Sequence, residues 1–561
     1  MPSGITDVSL WEGLVTSALL GTDRRTPPEP VLAWGEAPDQ PDKSDKSSAP
    51  GDPGSGTAAK DAPVALLGAA AVHTVRRRAG LLPAPAAAGP EPAPSDDRPL
   101  PPKAARRRLA LLLADRLAGA SGGRRGTTPD LTELLPQWLA AANEHGYRTP
   151  PALLPALLDA ARARTDLRLN ALAFAGTLGL WLARFNPEWK FVLRGASGSA
   201  LLPDLDDPEA VRRLWEEGLF AERVALLTAL RGRDADRALA LLSATWRTER
   251  AEDRLMFLDS LRTGLSDADE PFLERTLADR SRNVRVTAAE LLSALPRSAL
   301  AGRMAGRAAS CVSLVRDGGP SIAVEAPHEC DPDMERDGVA ATPPGGRGER
   351  SWWLKQVVEA APLSLWPERL GGRTPQEIVA LPVSDGWREE LHAAWCRAAA
   401  RQRDAPWSRA LLGAPGGPSD AEVGTSSPAE RSQLLATLPE AERAAWVADF
   451  IAVHGLSEAF QLLGVCTVPW AEPLGRSVVD ALDIARDAGS YPWSFSGVMG
   501  LAERCLSPAE ADRLELLTAR PDETEGASPG AGDYWSEAFQ RLVSTLRVRA
   551  SMRAELDPAL G

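Results

Sequence analysis

Residues 269–292 read Asp-Glu-Pro-Phe-Leu-Glu-Arg-Thr-Leu-Ala-Asp-Arg-Ser-Arg-Asn-Val-Arg-Val-Thr-Ala-Ala-Glu-Leu-Leu. The stretch reads as two short helices joined by a tight turn. Two similar pairs precede it. Asp207-Pro208 opens a helix whose partner ends at Leu230, and Asp234 opens another whose partner ends at Leu261. Asp269 opens the third, and its partner ends at Leu295. These ends are 31 and 34 residues apart, a period that marks stacked helix pairs. One pair cannot bury its apolar stripe alone, so neighbours must stack into an α-solenoid.

The third pair resembles a HEAT repeat, which places a proline in the first helix, an aspartate at the turn and an arginine early in the second helix. Pro271, Asp279 and Arg285 fall at those steps. Proline in a first turn removes no helical hydrogen bond and sets the direction of the helix. Asp279 and Arg285 can pair within a repeat or between neighbours. The two pairs before it keep the spacing but not the Pro/Asp/Arg set.

Outward from this region the pattern stays helical. Leu10-Trp11, Leu14-Val15 and Ala18-Leu19 predict a helix over 8–21 ended by Gly21. Leu109 to Leu117, Leu153 to Leu158, Trp352 to Ala361, Leu391 to Ala400, Ala445 to Val453 and Trp535 to Leu546 repeat the spacing. Strand alternation is almost absent, apart from Ser321 to Glu325, where one short strand fits. The expectation is an all-α protein: an α-solenoid of HEAT-like helical pairs, with additional N- and C-terminal helical regions and disordered Pro/Gly-rich loops.

Composition breaks set the organisation. An N-terminal helical segment, 1–34, precedes a flexible loop, 35–60, rich in Pro, Ser, Asp and Gly. A helical region, 61–202, contains a spacer, 83–102, with eight prolines. The HEAT-like repeats occupy 203–300, and a helix end with loop occupies 301–350. A C-terminal helical region, 351–561, carries loops at 413–428 and 521–532.

The chain has 561 residues with a net charge of -13, which repels nucleic acid and anionic membrane from the molecule as a whole. Cys311, Cys330, Cys396, Cys466 and Cys505 are too scattered for a disulfide framework or a zinc site. The N-terminus lacks the basic and apolar regions of a signal peptide. The longest uncharged apolar run, Leu169 to Ala183, has 15 residues and is short for a bilayer span. A soluble, cytoplasmic protein is expected. Six lysines against 57 arginines read as the coding bias of a high-GC bacterium. The 17 tryptophans read as packing anchors.

Motifs for chemistry are sparse. None of the six lysines follows a glycine, so there is no phosphate-binding loop. The patterns of metalloproteases and zinc deaminases are absent, and His73, His145, His328, His392 and His454 are isolated. Gly195-Ala196-Ser197-Gly198-Ser199 starts like a nucleophile elbow but lacks the final glycine and a preceding strand. His328-Glu329-Cys330-Asp331-Pro332-Asp333 gathers metal-ligand types. Asp333, Glu335, Asp337 and Gly338 imitate a calcium loop until its twelfth position, which is Pro344. The acid pairs Glu216-Glu217 and Glu440 with Glu442 read as solvated helix faces. No catalytic, cofactor-binding or metal residue is therefore assigned, and no cofactor is expected. Residues 60–130 hold 12 basic and 6 acidic residues, including Arg76-Arg77-Arg78 and Arg106-Arg107-Arg108, a segment that could touch nucleic acid.

Several blocks together resemble a bacterial family, domain of unknown function 5691, common in actinobacteria. They are Ser17 to Arg25, Leu180-Trp181-Leu182-Ala183 with Asn186-Pro187-Glu188-Trp189, the repeat stretch up to Pro296, Arg336-Asp337-Gly338, and Ser351-Trp352-Trp353-Leu354. The resemblance brings no site residue with it. It implies a neighbourhood of a SWIM zinc-finger protein, a MoxR-type AAA ATPase and a von Willebrand A-domain protein. The expected function is a non-catalytic protein–protein interaction scaffold, with an ATPase or A-domain partner. The alternatives are a nucleic-acid-binding repeat protein using 60–130 and an enzyme whose carboxylates converge only in the fold.

Overall fold

A computed structural model describes residues 7–27, 57–79, 91–118, 131–195, 202–203, 205–346, 348–416, 427–519 and 530–558. The chain divides into two compact units, Met1–Pro92 and Ala93–Gly561, so the division falls inside the proline-rich spacer. Most of loop 35–60, residues 83–90, the centres of loops 413–428 and 521–532, and Ala196 to Ser199 lie outside the described residues.

The first unit contains helices α1 (Asp7–Leu20) and α2 (Thr57–Arg78). Gly21 ends α1 in the left-handed conformation (φ 83°), as its position predicts. Leu14 packs with Leu66 and Ala69. Helix α2 starts at Thr57, inside the expected 35–60 loop, because Ala58, Ala59 and Lys60 favour helix.

The second unit opens with residues 93–102 in non-helical conformation, as eight nearby prolines require. This strand of chain is docked: Arg98 donates to the Ala173 carbonyl at 2.8 Å, and Arg148 N donates to the Pro99 carbonyl at 3.0 Å. Helices α3 (Lys103–Ala118), α4 (Leu131–Glu144), α5 (Leu154–Ala163), α6 (Arg168–Ala183) and α7 (Lys190–Gly195) follow. Their core includes the fully buried Trp138 and Phe174.

The helix pairs come next: α8 (Pro208–Glu217) with α9 (Phe220–Arg233), α10 (Ala235–Thr245) with α11 (Ala251–Ser260), and α12 (Glu270–Thr276) with α13 (Arg282–Ser293). The second helices stack, α9 on α11 and α11 on α13. Leu226, Phe257 and Ala288 take equivalent buried places, as do Leu230, Leu261 and Leu292. The structural register is therefore 31 residues twice. The 34-residue interval in the sequence came from Leu295, which lies beyond the end of α13 and is not the counterpart of Leu261.

Helix α14 (Ala299–Cys311) runs directly into β1 (Val312–Val315), which pairs antiparallel with β2 (Ser321–Val324) in the register Val312 to Val324. The single expected strand is β2. Its partner was hidden because Val312-Ser313-Leu314-Val315 continues a helical run. The rest comprises α15 (Pro332–Arg336), α16 (Glu349–Ala360), α17 (Leu365–Arg369), α18 (Pro375–Val379), α19 (Arg388–Gln402), α20 (Ala405–Leu412), α21 (Pro428–Leu435), α22 (Glu440–Leu463), α23 (Glu472–Asp487), α24 (Ser496–Cys505), α25 (Ala511–Leu516) and α26 (Ala531–Leu556). Four of these start inside stretches expected to be loops, α16 by only two residues. Asp331 and Ser427 cap α15 and α21 through their side chains, and Pro332 and Pro428 take the first helical positions. Helix α26 begins at Ala531 after the left-handed Gly530.

One apolar cluster runs continuously from Val211 to Leu546, so the repeats and the C-terminal helices share a core. Helix α26 links the two cores: Trp535, Phe539, Leu542 and Leu546 belong to that cluster, whereas Met552 and Leu556 pack with α3 to α6. Among the described residues the architecture is all-α with one two-stranded hairpin. Among the described residues no helix is long and apolar enough to cross a membrane.

Candidate functional site

The repeat pairs are tied by arginines at a fixed interval. Arg223, Arg254 and Arg285 stand 31 residues apart, near the starts of α9, α11 and α13. Arg223 pairs with Glu249 of the next pair, and Arg254 donates to Asp279 of the next pair at 2.9 Å. Arg254 also donates to the Glu249 carbonyl at 3.0 Å, and Arg285 to the Asp279 carbonyl at 2.8 Å. Asp279 and Arg285 thus meet through the backbone, while the Asp279 carboxylate accepts from Arg254 of the preceding pair and from Ser281 N of its own at 2.8 Å. The first two pairs do keep the arginine. Trp215 and Trp246, also 31 apart, lie under Arg223 and Arg254 at 4.5 and 5.7 Å from ring centroid to guanidinium. A search at strict 31-residue spacing would have exposed this set.

A second tie is fully buried. Arg231 and Asp269 have side-chain exposures of 0% and 1% and form two hydrogen bonds of 2.8 Å. Arg231 also donates to the Thr263 and Gly264 carbonyls, and Ser266 N donates to Asp269. Gly264 has φ 64°, and a Cβ there would press on the Arg231 carbonyl oxygen.

At the end of the repeats a polar cleft of about 240 Å³ opens between α13, α14 and α16. The Arg336-Asp337-Gly338 turn lines it. Asp337 has no exposed side-chain surface and accepts from Arg303 at 2.8 Å and Arg307 at 2.7 Å. Burial would raise its pKa, yet these hydrogen bonds hold it below the ordinary carboxylate value. Gly338 has φ 92°, and a Cβ there would overlap that of Ala289. Across the cleft, Glu359 accepts from Arg397 and Arg401, and Arg401 donates to Ser293 Oγ at 2.9 Å. Trp352 and Trp353 strap the turn down by donating to the carbonyls of Ala340 and Ala341. Each of these charges is answered by another, which makes a locked crossing of helices.

A larger open groove, about 830 Å³, lies between α22 and α23. Gly455 (φ 79°) breaks α22 there. Val453 and Ile484 are 58% and 69% exposed. His454 Nε2 meets the Pro415 carbonyl at 2.9 Å.

The residues singled out from sequence have separate fates. Asp331 caps α15, Asp333 pairs with Arg336, and Asp337 is taken by two arginines, so the imitation calcium loop is a helix and a turn. Among the described residues no group of three or more His, Cys, Asp or Glu could hold a metal ion. The nucleophile-elbow residues Ala196 to Ser199 fall outside the described residues. Glu216 pairs with Arg212, and Glu442 with Arg409. The cysteines are free thiols, and burial pushes Cys396 up to about 12. His392 is buried against Trp395, and desolvation, with Arg388 nearby, lowers its pKa to about 4. The two arginine triplets belong to different units. Arg106 and Arg107 are exposed, while Arg108 is engaged with Glu555 at 2.7 Å.

A family model described as a family of unknown function, DUF5691, matches residues 13–556. The chain belongs to DUF5691. No curated protein matches it. The blocks that carry the DUF5691 resemblance lie at structural joints. Asn186 caps a turn by accepting from Glu188 N at 3.0 Å, and Trp189 Nε1 donates to Asp159 at 3.0 Å. Asp337 and Gly338 of one block line the polar cleft, and Trp352 and Trp353 of another hold the chain that follows Gly338 at Ala340 and Ala341.

Proposed function

We propose that this chain is a non-catalytic helical-repeat scaffold that holds other proteins, with a MoxR-type AAA ATPase or a von Willebrand A-domain protein as its partner. The observation that carries the reading is the groove between α22 and α23. Its walls leave Val453 and Ile484 largely in water, and exposed apolar surface in a groove of about 830 Å³ marks a place where another surface is covered. The stacked helix pairs supply a rigid frame for it. The partner classes follow from the family neighbourhood.

The test is co-expression of the tagged chain with each candidate partner from the same genome, followed by purification at low and high salt. A near-stoichiometric complex that survives high salt and is lost on Ile484→Asp or Val453→Asp is the expected result. Absence of both partners, or a complex indifferent to those substitutions, overturns it. Recovery of nucleic acid alone, lost at high salt, would transfer the assignment to the 60–130 segment.

A further inference from the structure

The turn between α23 and α24 brings aromatic rings to the surface in an ordered arrangement. Tyr491 stacks on Trp493 with centroids 4.0 Å and planes 13° apart. Tyr534, in the first turn of α26, stands across Trp493 at 5.3 Å and 71°. Trp493 is 54% exposed and Tyr534 37% exposed, beside the fully buried Trp535. The turn is pinned from below. Trp535 Nε1 donates to the Ser490 carbonyl at 2.6 Å, and Ser494 N donates to the Tyr491 carbonyl at 3.1 Å. Exposure of Trp493 on a pinned turn, beside Tyr534 of α26, is a built feature, since Trp493 could bury its surface only if the turn were free to fold inward.

The rings border a cavity of about 240 Å³ whose other walls include Met499, Glu503, Glu537 and Arg541. Glu503 accepts from Arg541 at 2.9 Å, which cancels that pair of charges. Glu537 is exposed and leaves the wall with one further negative charge. Two rings inclined at 71°, one face of Trp493 being covered by Tyr491, offer negative π surface, and a carboxylate beside them favours a positive guest. The arginines seated over aromatic rings among the described residues sit at Phe191, Trp215, Phe257, Trp246 and Phe450, not at Trp493 or Tyr534. The cavity is below the ~300–1,000 Å³ usual for drug-sized ligands, which suits a head group.

We propose that Trp493, Tyr534 and Glu537 form a binding site for an organic monocation, a quaternary ammonium or guanidinium head. The guest stands on the rings and is neutralised by Glu537, while the Glu503–Arg541 pair closes the far wall. The assignment stands independently of the scaffold reading. The same chemistry is presented by a free quaternary amine and by a methylated lysine or an arginine side chain of a protein.

The experiment is isothermal titration of the full chain with choline, N-acetyl-trimethyllysine amide and N-acetyl-arginine amide. The neutral isostere 3,3-dimethylbutan-1-ol serves as control. Saturable cation binding is expected, with the isostere weaker by about tenfold or more, the scale of a desolvated cation–π contact. Trp493→Leu, which keeps apolar bulk but removes the π face, is expected to weaken binding about tenfold, and Glu537→Gln about threefold. Melting curves confirm that both variants fold. Choline binding tighter than the amino-acid amides assigns a free amine as guest, and the reverse order assigns a side chain. Equal binding of the isostere, unchanged binding in Trp493→Leu, or no saturation by any cation overturns the proposal.

Discussion

Between Pro208 and Ser293, each tie crosses about one repeat: Arg223 reaches Glu249, and Arg254 reaches Asp279. At the C-terminal helix the distances along the chain are of another order. Arg108 meets Glu555, 447 residues on, and Tyr147 Oη donates to the Leu556 carbonyl, 409 residues on. The same residue types, arginine, acid and aromatic, do both jobs. In the first region the contacts follow a period, so each repeat prescribes the next. In the second, the partners share only the space that the intervening chain brings them to.

The strongest way to break this comparison is at its periodic end. Asp269→Asn leaves the Arg231 guanidinium buried without a counter-charge, and a loss of about 3–5 kcal/mol in denaturant unfolding is expected. The double variant Arg231→Met/Asp269→Leu should recover much of that loss. A single-variant cost near zero would show that stacking alone holds the repeats.

His392, in the tryptophan cluster of Trp366, Trp395 and Trp407, belongs to neither region and gives a reference. Its folded pKa of about 4 lies below the ordinary value of 6.5. The unfolded chain therefore binds the proton first, and stability is lost as pH falls from 6.5 through 4, by about 3 kcal/mol in total. Comparing His392→Phe with the parent across that window isolates the effect. Parallel curves would refute it.

At the long-range end, Leu556→Ala should cost about 2–3 kcal/mol, since it removes a fully buried contact at a helix end. The smallest effect belongs to Tyr147→Phe, which deletes the 3.0 Å bond to Leu556 and should cost about 1 kcal/mol. Both would be read from chemical denaturation. If Leu556→Ala lowers the unfolding free energy no more than Tyr147→Phe does, α26 does not couple the two cores.

The all-α class was legible because apolar spacing is set by helix geometry, which every segment must obey. The repeats were legible through Pro271, Asp279 and Arg285 in one unit. The arginine ladder was missed although it is periodic, because Glu249 replaces aspartate and sits one residue out of step. The helix α15 and strand β1 were obscured by their shortness, being defined by a cap and by a pairing partner. The polar cleft could not be read at all. Asp337, Glu359 and Ser293 come from three elements, and their meeting depends on how α13, α16 and α19 cross. The aromatic corner has the same origin: Trp493 and Tyr534 are far apart in sequence but are set by one buried neighbour, Trp535.

The arginine excess is a matter of composition, yet many guanidinium groups here close helix ends. Arg443 donates to the carbonyls of Leu435, Leu438 and Val465, and Arg549 to those of Glu503 and Leu506. Arg231 does the same at Thr263 and Gly264. A lysine carries the same charge but radiates its three donors from one nitrogen, so it cannot span carbonyls as widely separated as those a planar guanidinium fork reaches. In evolutionary terms the arginines form two pools. Exposed ones such as Arg212 and Arg297, 57% and 84% open to water, can drift to lysine as codon usage shifts. Those at Arg231, Arg443 and Arg549 cannot, and a lineage of this fold that drifts toward lysine should keep its arginines there longest.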